Sequence, residues 1–292
     1  MNKYHGIFPA LVTPYDENGK INAAAAQNLI EHLIRQGVSG FYVGGSTGES
    51  YLLSLEERKQ FLEIVIEAVD GRVPVIASIG VVATEHGIEL ASHAAWAGAS
   101  AISAVPPIYF SFTKEEYIKY YEDLAKATEL PLLVYNIPAM SGVQFSKADL
   151  ERLLSNDKII GLKHTSYDLF QLQQLIENYP EKSIFIGHDE LTISGLAVGA
   201  QASIGSTFNI MADKFIKLYQ LFEEKKLDEA LIIQGEINRT VEVLLKVGIF
   251  KGIKEVLKLQ GFNCGECRKP FLPLSEEEKH MVYECVVRNH LL

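Results

Sequence analysis

The chain has 292 residues, room for two ordinary domains or for one α/β barrel with an extension. Hydrophobic residues make up 48% and charged residues 22%, a globular balance that excludes a disordered or fibrous chain. A formal net charge of -10 leaves no extended basic surface to neutralise phosphates, so neither nucleic acid nor an anionic membrane is expected as a partner.

The first segment, MNKYHGIFPALVTPYDENG, holds an apolar run interrupted by Pro9, Pro14 and Asp16, with no small-residue cleavage site after it. It reads as a first strand and not as a signal peptide. Seven further strand-like runs follow in order: SGFYVGG, VPVIASIG, ASAISAVPP, LPLLVYNIP, KIIGLKHT, KSIFIGHD and QASIGST. Each is short, apolar and closed by Gly, Pro, Ser, Thr or Asp, the pattern of parallel strands buried on both faces. Helical segments alternate with them. Ser54 to Glu57 and Thr113 to Glu116 have capping-box spacing, and Phe61, Leu62, Val65, Ala68 and Val69 recur at helical period on one face.

Eight strands each followed by a helix predict a closed (β/α)8 TIM barrel rather than an open doubly wound sheet. From about Asp228 the strand signal stops. Three helical stretches follow, near 228–247, 249–260 and 275–290, the last opening with the capping box Ser275 to Glu278. The expected organisation is therefore a barrel over 1–226 and a C-terminal three-helix extension over 227–292 packed on it. No apolar stretch reaches the ~18 residues of a membrane span. Three cysteines, Cys264, Cys267 and Cys285, fit a reducing compartment, so a cytoplasmic protein is expected.

In such barrels the chemistry lies at the C-terminal ends of the strands. Here those ends carry Ser46-Thr47-Gly48-Glu49, Tyr135-Asn136, Lys163-His164-Thr165, Gly187-His188-Asp189-Glu190 and Ser206-Thr207. A strand period of two places Ile159, Gly161 and Lys163 on one face, with Ile160, Leu162 and His164 on the other. If the first face points inward, apolar walls weaken the ammonium of Lys163 and leave an amine able to attack a carbonyl; if outward, the side chain reaches water. Tyr135, one strand earlier, could move a proton beside that amine or simply fill the core. Ser46 and Thr47 sit in a glycine-rich turn whose hydroxyls and N–H groups suit a small carboxylate, or a tight connection bonded to itself.

Gly44-Gly45-Ser46-Thr47-Gly48 also fits the G-x-S-x-G pattern of a hydrolase nucleophile. A nucleophile elbow needs a helix starting at once, whereas the next helix is predicted only from Ser54, so Ser46 is not read as a nucleophile. Cys264-Gly-Glu-Cys267 lacks a second ligand pair for zinc and a preceding strand for redox chemistry. His188-Asp189-Glu190 matches no established ligand spacing, so no metal is expected.

GGSTGE, YNIP, GLKHTS and GSTFNIM, in this order on successive strands, resemble the pyruvate-dependent aldolase family that includes N-acetylneuraminate lyase and dihydrodipicolinate synthase. The likeness runs from GIFPALVTPYDENG to CRKPFLPL, nearly the whole chain. Within the family the sequence is similar to the lyases: synthases typically read YNxPxRTG, and their arginine position is Met140 here. The resemblance implies a Schiff base on Lys163 and proton transfer by Tyr135. It implies a pyruvate carboxylate held by Ser46 and Thr47, and a sugar portion bound by Thr165, Gly187, Asp189, Glu190 and Ser206. Tyr109 matches a tyrosine that in relatives lies near the site and often reaches a neighbouring subunit. A homotetramer, a sugar-acid substrate and no cofactor beyond the covalent lysine adduct are implied with it. A synthase or another 2-oxo acid aldolase using the same lysine is the alternative inside the family, and a sugar-acid-binding module the alternative on the same scaffold.

Overall fold

A computed structural model describes residues 3–292. The eight strands are β1 (Gly6–Pro9), β2 (Phe41–Val43), β3 (Val75–Ser78), β4 (Ala101–Ala104), β5 (Leu132–Asn136), β6 (Ile159–His164), β7 (Ser183–Ile186) and β8 (Ala202–Gly205). Between them and after them run α1 (Ala23–Gln36), α2 (Leu55–Val69), α3 (Thr84–Ala97), α4 (Lys114–Lys126), α5 (Pro138–Ser141) and α6 (Lys147–Leu154). The series continues with α7 (Leu169–Asn178), α8 (Thr192–Ala197), α9 (Phe208–Glu223), α10 (Leu227–Val247), α11 (Ile249–Leu259) and α12 (Glu276–Arg288).

All strand pairs are parallel, in the order β1-β8-β7-β6-β5-β4-β3-β2. The two ends of the sheet meet at a parallel bridge between Ala10 and Tyr42, where Leu11 N–H donates to the Tyr42 carbonyl at 2.9 Å. This is a (β/α)8 barrel. Alternation along each strand splits the core in two. Phe8, Tyr42, Ile76, Ala101, Leu133, Phe185 and Ile204 fill the barrel, while Ile7, Val43, Val75, Ile102, Val134, Leu162 and Ile186 pack against the helices. Inside, Phe8 meets Phe185 edge to face, with centroids 5.4 Å apart.

One strand departs from strict alternation. The β5–β6 register shifts between Leu132 and Leu133, so Leu132 faces Ile159 but Leu133 faces Gly161. This bulge turns Ile159 outward to the helix layer and Ile160 inward, the reverse of the expected faces, while Gly161 and Lys163 keep the phase that aims the lysine into the barrel. Gly161 has no alternative there, since a Cβ would lie 1.8 Å from the Ser183 carbonyl oxygen.

The helices follow their local signals. α1 is capped by the Asn22 side chain, buries Ala26, Leu29, Ile30 and Leu33, and stops at Gly37 with φ 97°. Capping boxes open α2, α4 and α12 at the expected residues, and a fourth, Ser146 with Asp149, opens α6. The last three helices bury Ile237, Val241, Ile253, Val256, Val282 and Val286 in the same apolar layer that surrounds the barrel. α10 also braces the end of β7: Gln234 accepts from Ile193 N–H at 2.9 Å and donates to the Asp189 carbonyl at 3.2 Å.

Candidate active site

A cavity of about 240 Å³ opens where the C-terminal ends of β2, β5, β6, β7 and β8 converge. Its walls include Ser46, Thr47, Tyr135, Lys163, Thr165, Gly187, Asp189, Glu190 and Ser206, so nine of the ten residues singled out in the sequence meet in one space. Tyr109 does not: it is 90% exposed, stands against Phe110 with φ 81°, and lies outside the cavity of its own chain. From the C-terminal helices Val241, Leu245, Ile249 and Phe250 cover the opening with apolar surface.

Lys163 is 4% exposed. Its Nζ lies 3.9 Å from the ring centre of Tyr135 and 4.6 Å from that of Tyr42. Removal from water disfavours the ammonium and brings its pKa down to about 8, against partial support for the charge from Tyr42 and Asp189. The amine is therefore substantially neutral at mildly alkaline pH and nucleophilic, the state needed to attack a carbonyl carbon.

Burial pushes the Tyr135 phenol up to about 12, and the neighbouring hydroxyls of Thr165 and Ser46 offset part of that rise. Tyr135 stays protonated beside a neutral amine and can donate a hydrogen bond or a proton. Thr165 Oγ1 is buried near the Tyr135 phenol, its polar neighbour, but the approach falls short of a well-formed hydrogen bond. A buried hydroxyl left unpaired is costly, and this one lines the cavity, where an incoming polar group would satisfy it. The space exists because residue 187 is glycine: a Cβ there would lie 1.9 Å from Thr165 Oγ1 and 3.2 Å from Lys163 Cε.

The loop after β2 is bonded to itself and to its neighbours. Gly48 N–H donates to the Gly45 carbonyl at 3.1 Å, Thr13 Oγ1 donates to the Gly48 carbonyl at 2.7 Å, and Thr47 Oγ1 meets Ser206 Oγ at 2.8 Å. A Cβ on Gly45 would lie 2.5 Å from the Tyr42 ring, so the tight approach of loop and aromatic requires glycine. A 3-10 turn, Ser50–Leu52, separates this loop from α2, which starts at Leu55. Ser46 thus lies well before a helix start and does not have the strand-to-helix geometry of a nucleophile elbow.

Two carboxylates share the far wall and are shifted in opposite directions. Asp189 is buried, and that burial raises its pKa to about 6 although Thr207 donates to Oδ2 from N–H at 2.8 Å and Oγ1 at 2.7 Å. Glu190 is also pushed up by burial, but His188 and the Tyr167 hydroxyl more than offset this and hold it below the usual range. His188 Nδ1 and the Tyr167 hydroxyl both lie 3.1 Å from Glu190 Oε1, and the two rings stack at 4.4 Å. Acceptor oxygens on one wall suit a ligand rich in hydroxyl donors.

Tyr42, Tyr167 and Phe250 shape the site without having stood out in the sequence, and His188 and Thr207, named there at strand ends but given no role, join them. Tyr42 could have been found, being an inward-facing residue of β2; Phe250 comes from the extension, and no local pattern aims it at the barrel. Among the described residues no group of three or more His, Cys, Asp or Glu is placed to hold a metal ion. The three thiols are free, with Cys264 and Cys285 buried.

Fold and cavity together define a (β/α)8 barrel with a polar cavity at its C-terminal rim. The chain belongs to the dihydrodipicolinate synthetase family, which matches residues 3–288. It is 40% identical to an N-acetylneuraminate lyase of Rhizobium meliloti over 284 residues, 97% of this chain and 95% of that one. A crystal structure of CdNal from Clostridium difficile in complex with mannosamine superposes with a TM-score of 0.95 at 35% identity, covering 98% of this chain and 99% of that one. A catalytic lysine mutant of the Ruminococcus gnavus sialic acid aldolase gives 0.96 at 32% identity, covering 99% of this chain and 97% of that one.

Proposed function

We propose that the protein is a class I aldolase that reversibly cleaves N-acetylneuraminate to N-acetylmannosamine and pyruvate through a Schiff base on Lys163. The observation that carries this reading is a buried lysine brought down to about pH 8 beside a protonated tyrosine, in a cavity with hydroxyls on one wall and carboxylates on the other. The relatives named as lyases support it over a synthase, as does Met140 at the cavity wall where synthases typically place arginine.

The neutral amine of Lys163 attacks the C2 ketone of the open-chain sugar acid, and loss of water forms an iminium. Removal of the proton from the C4 hydroxyl then breaks the C3–C4 bond. The bonding pair delocalises onto the iminium nitrogen as an enamine and N-acetylmannosamine leaves. Protonation at C3 and hydrolysis release pyruvate and regenerate the amine. Tyr135 serves as the proton conduit. Ser46 and Thr47 hold the carboxylate, while Thr165, Gly187, Asp189, Glu190 and Ser206 receive the polyol. A site built to bond hydroxyls discriminates against ligands that lack them.

The same reading takes the protein as a cytoplasmic homotetramer, with 1–226 as catalytic barrel and 227–292 as packed extension. Exposed Tyr109 and Phe110, 90% and 58% accessible in one chain, support a subunit contact there. The test is substrate choice. Release of pyruvate from N-acetylneuraminate, with no condensation of pyruvate and aspartate semialdehyde, is expected; the opposite preference would move the assignment to a synthase.

A further inference from the structure

The loop proposed to hold the carboxylate is tied to the C-terminal extension by a charge pair closed off from water. Glu49, next to the Ser46-Thr47-Gly48 turn, has φ 58°, a left-handed backbone that a glutamate adopts only when its surroundings hold it. Its side chain is fully buried, and Lys254, 3% exposed, reaches it from α11 with Nζ 2.8 Å from Oε1. The second carboxylate oxygen accepts from the Arg268 N–H at 2.7 Å. Lys254 is itself fixed, donating to the Glu266 carbonyl at 3.1 Å and lying over the Tyr15 ring at 4.2 Å. Phe250, four residues earlier on the same helix, lines the cavity, so one helix face supplies both a wall of the site and the anchor of its loop.

Such a pair is a poor source of net stability, because desolvating two charges costs about what their attraction returns, but losing one member leaves the other stranded. What the pair does supply is a single position for the loop. Glu49 N–H donates to the Ser46 carbonyl at 3.0 Å, so displacing the glutamate displaces the residue that carries the anchoring hydroxyl.

We propose that Lys254 is a positioning residue: through Glu49 it sets the geometry of the Ser46-Thr47 cradle and hence the affinity for the 2-oxo acid. The proposal rests on the aldolase reading. It is tested on the full-length protein by borohydride trapping of pyruvate on Lys163 across a range of pyruvate concentrations, with the thermal midpoint measured alongside. In Lys254→Met the half-saturating pyruvate concentration should rise about tenfold or more while the maximal trapping rate changes little, since the nucleophile is untouched. Glu49→Gln, nearly isosteric, should show the same split and carries the test if Lys254→Met does not fold. A lowered thermal midpoint with unchanged half-saturation would reduce the pair to a structural contact and overturn the proposal. Wild-type protein that traps no pyruvate on Lys163 would instead overturn the aldolase reading, and this inference with it.

Discussion

Lys163 owes its lowered pKa to what lies around it rather than to its sequence neighbours. Burial inside the closed barrel lowers its pKa to about 8, and Tyr42 and the Asp189 carboxylate keep it from falling further. Only the neutral amine attacks a carbonyl, and this group's pKa lies below the ordinary lysine value. The initial rate of Schiff-base formation with pyruvate should therefore climb about tenfold per pH unit up to about 8 and level off above it, whereas an exposed lysine would keep climbing toward about 10.4. Asp189→Asn removes the anion that supports the ammonium, so the same profile should move to lower pH; no movement would mean the two groups are not coupled. At this scale the sequence was informative about residue types at strand ends. Lys163, Tyr135, Ser46 and the acidic pair could be placed on the rim because they close or directly follow the strand-like runs. The incompletely bonded hydroxyl of Thr165 and the need for glycine at 187 could not, since both depend on side chains from different strands meeting in space.

Among the elements, β6 shows where pattern reading succeeds and where it slips. The strand and its inward lysine were legible, but the bulge that swaps Ile159 and Ile160 was not, because it is set by the register with β5 and leaves no mark on β6 itself. Gly161 sits next to that irregularity. Gly161→Ala would drive a Cβ into the Ser183 backbone, which cannot move aside as a flexible side chain could. A loss of about 3 kcal/mol or more in stability is expected by denaturant titration, and a loss below about 1 kcal/mol would show that the strands can shift to make room. Capping boxes were readable wherever Ser or Thr precedes Glu by three residues; α6 uses Asp149 instead and so gave a weaker signal. The start of α2 carries a second contact, from far along the chain. The Arg268 guanidinium lies 2.8 Å from Glu57 Oε2 and holds that carboxyl down at about 2. A depressed carboxyl adds stability that is fully present above its unfolded value near 4.5 and is lost as pH falls toward 2. The thermal midpoint of the wild type should accordingly exceed that of Glu57→Gln at neutral pH, with the gap closing between about pH 4.5 and pH 2. A gap that persisted at pH 2 would assign it to packing instead.

For the whole molecule, the barrel places the cavity at its rim and the extension supplies part of the cavity wall. Eight short apolar runs separated by helical periods were enough to expect a closed barrel, because parallel strands buried on both faces have few other ways to satisfy their edges. How the last three helices contribute was not legible. Their amphipathic faces show that they pack on something, but only the folded chain shows Ile249 and Phe250 covering the cavity, Gln234 bracing the end of β7 and Lys254 reaching Glu49. On the aldolase reading, the rim lysine forms a covalent intermediate with the three-carbon part of a cleaved sugar acid. Its most direct test is to incubate the protein with N-acetylneuraminate alone, reduce with borohydride, and map the adduct by peptide mass spectrometry. A three-carbon adduct on Lys163 is the expected result. An unlabelled Lys163, under conditions in which the protein remains folded, would rule out Schiff-base chemistry at that residue.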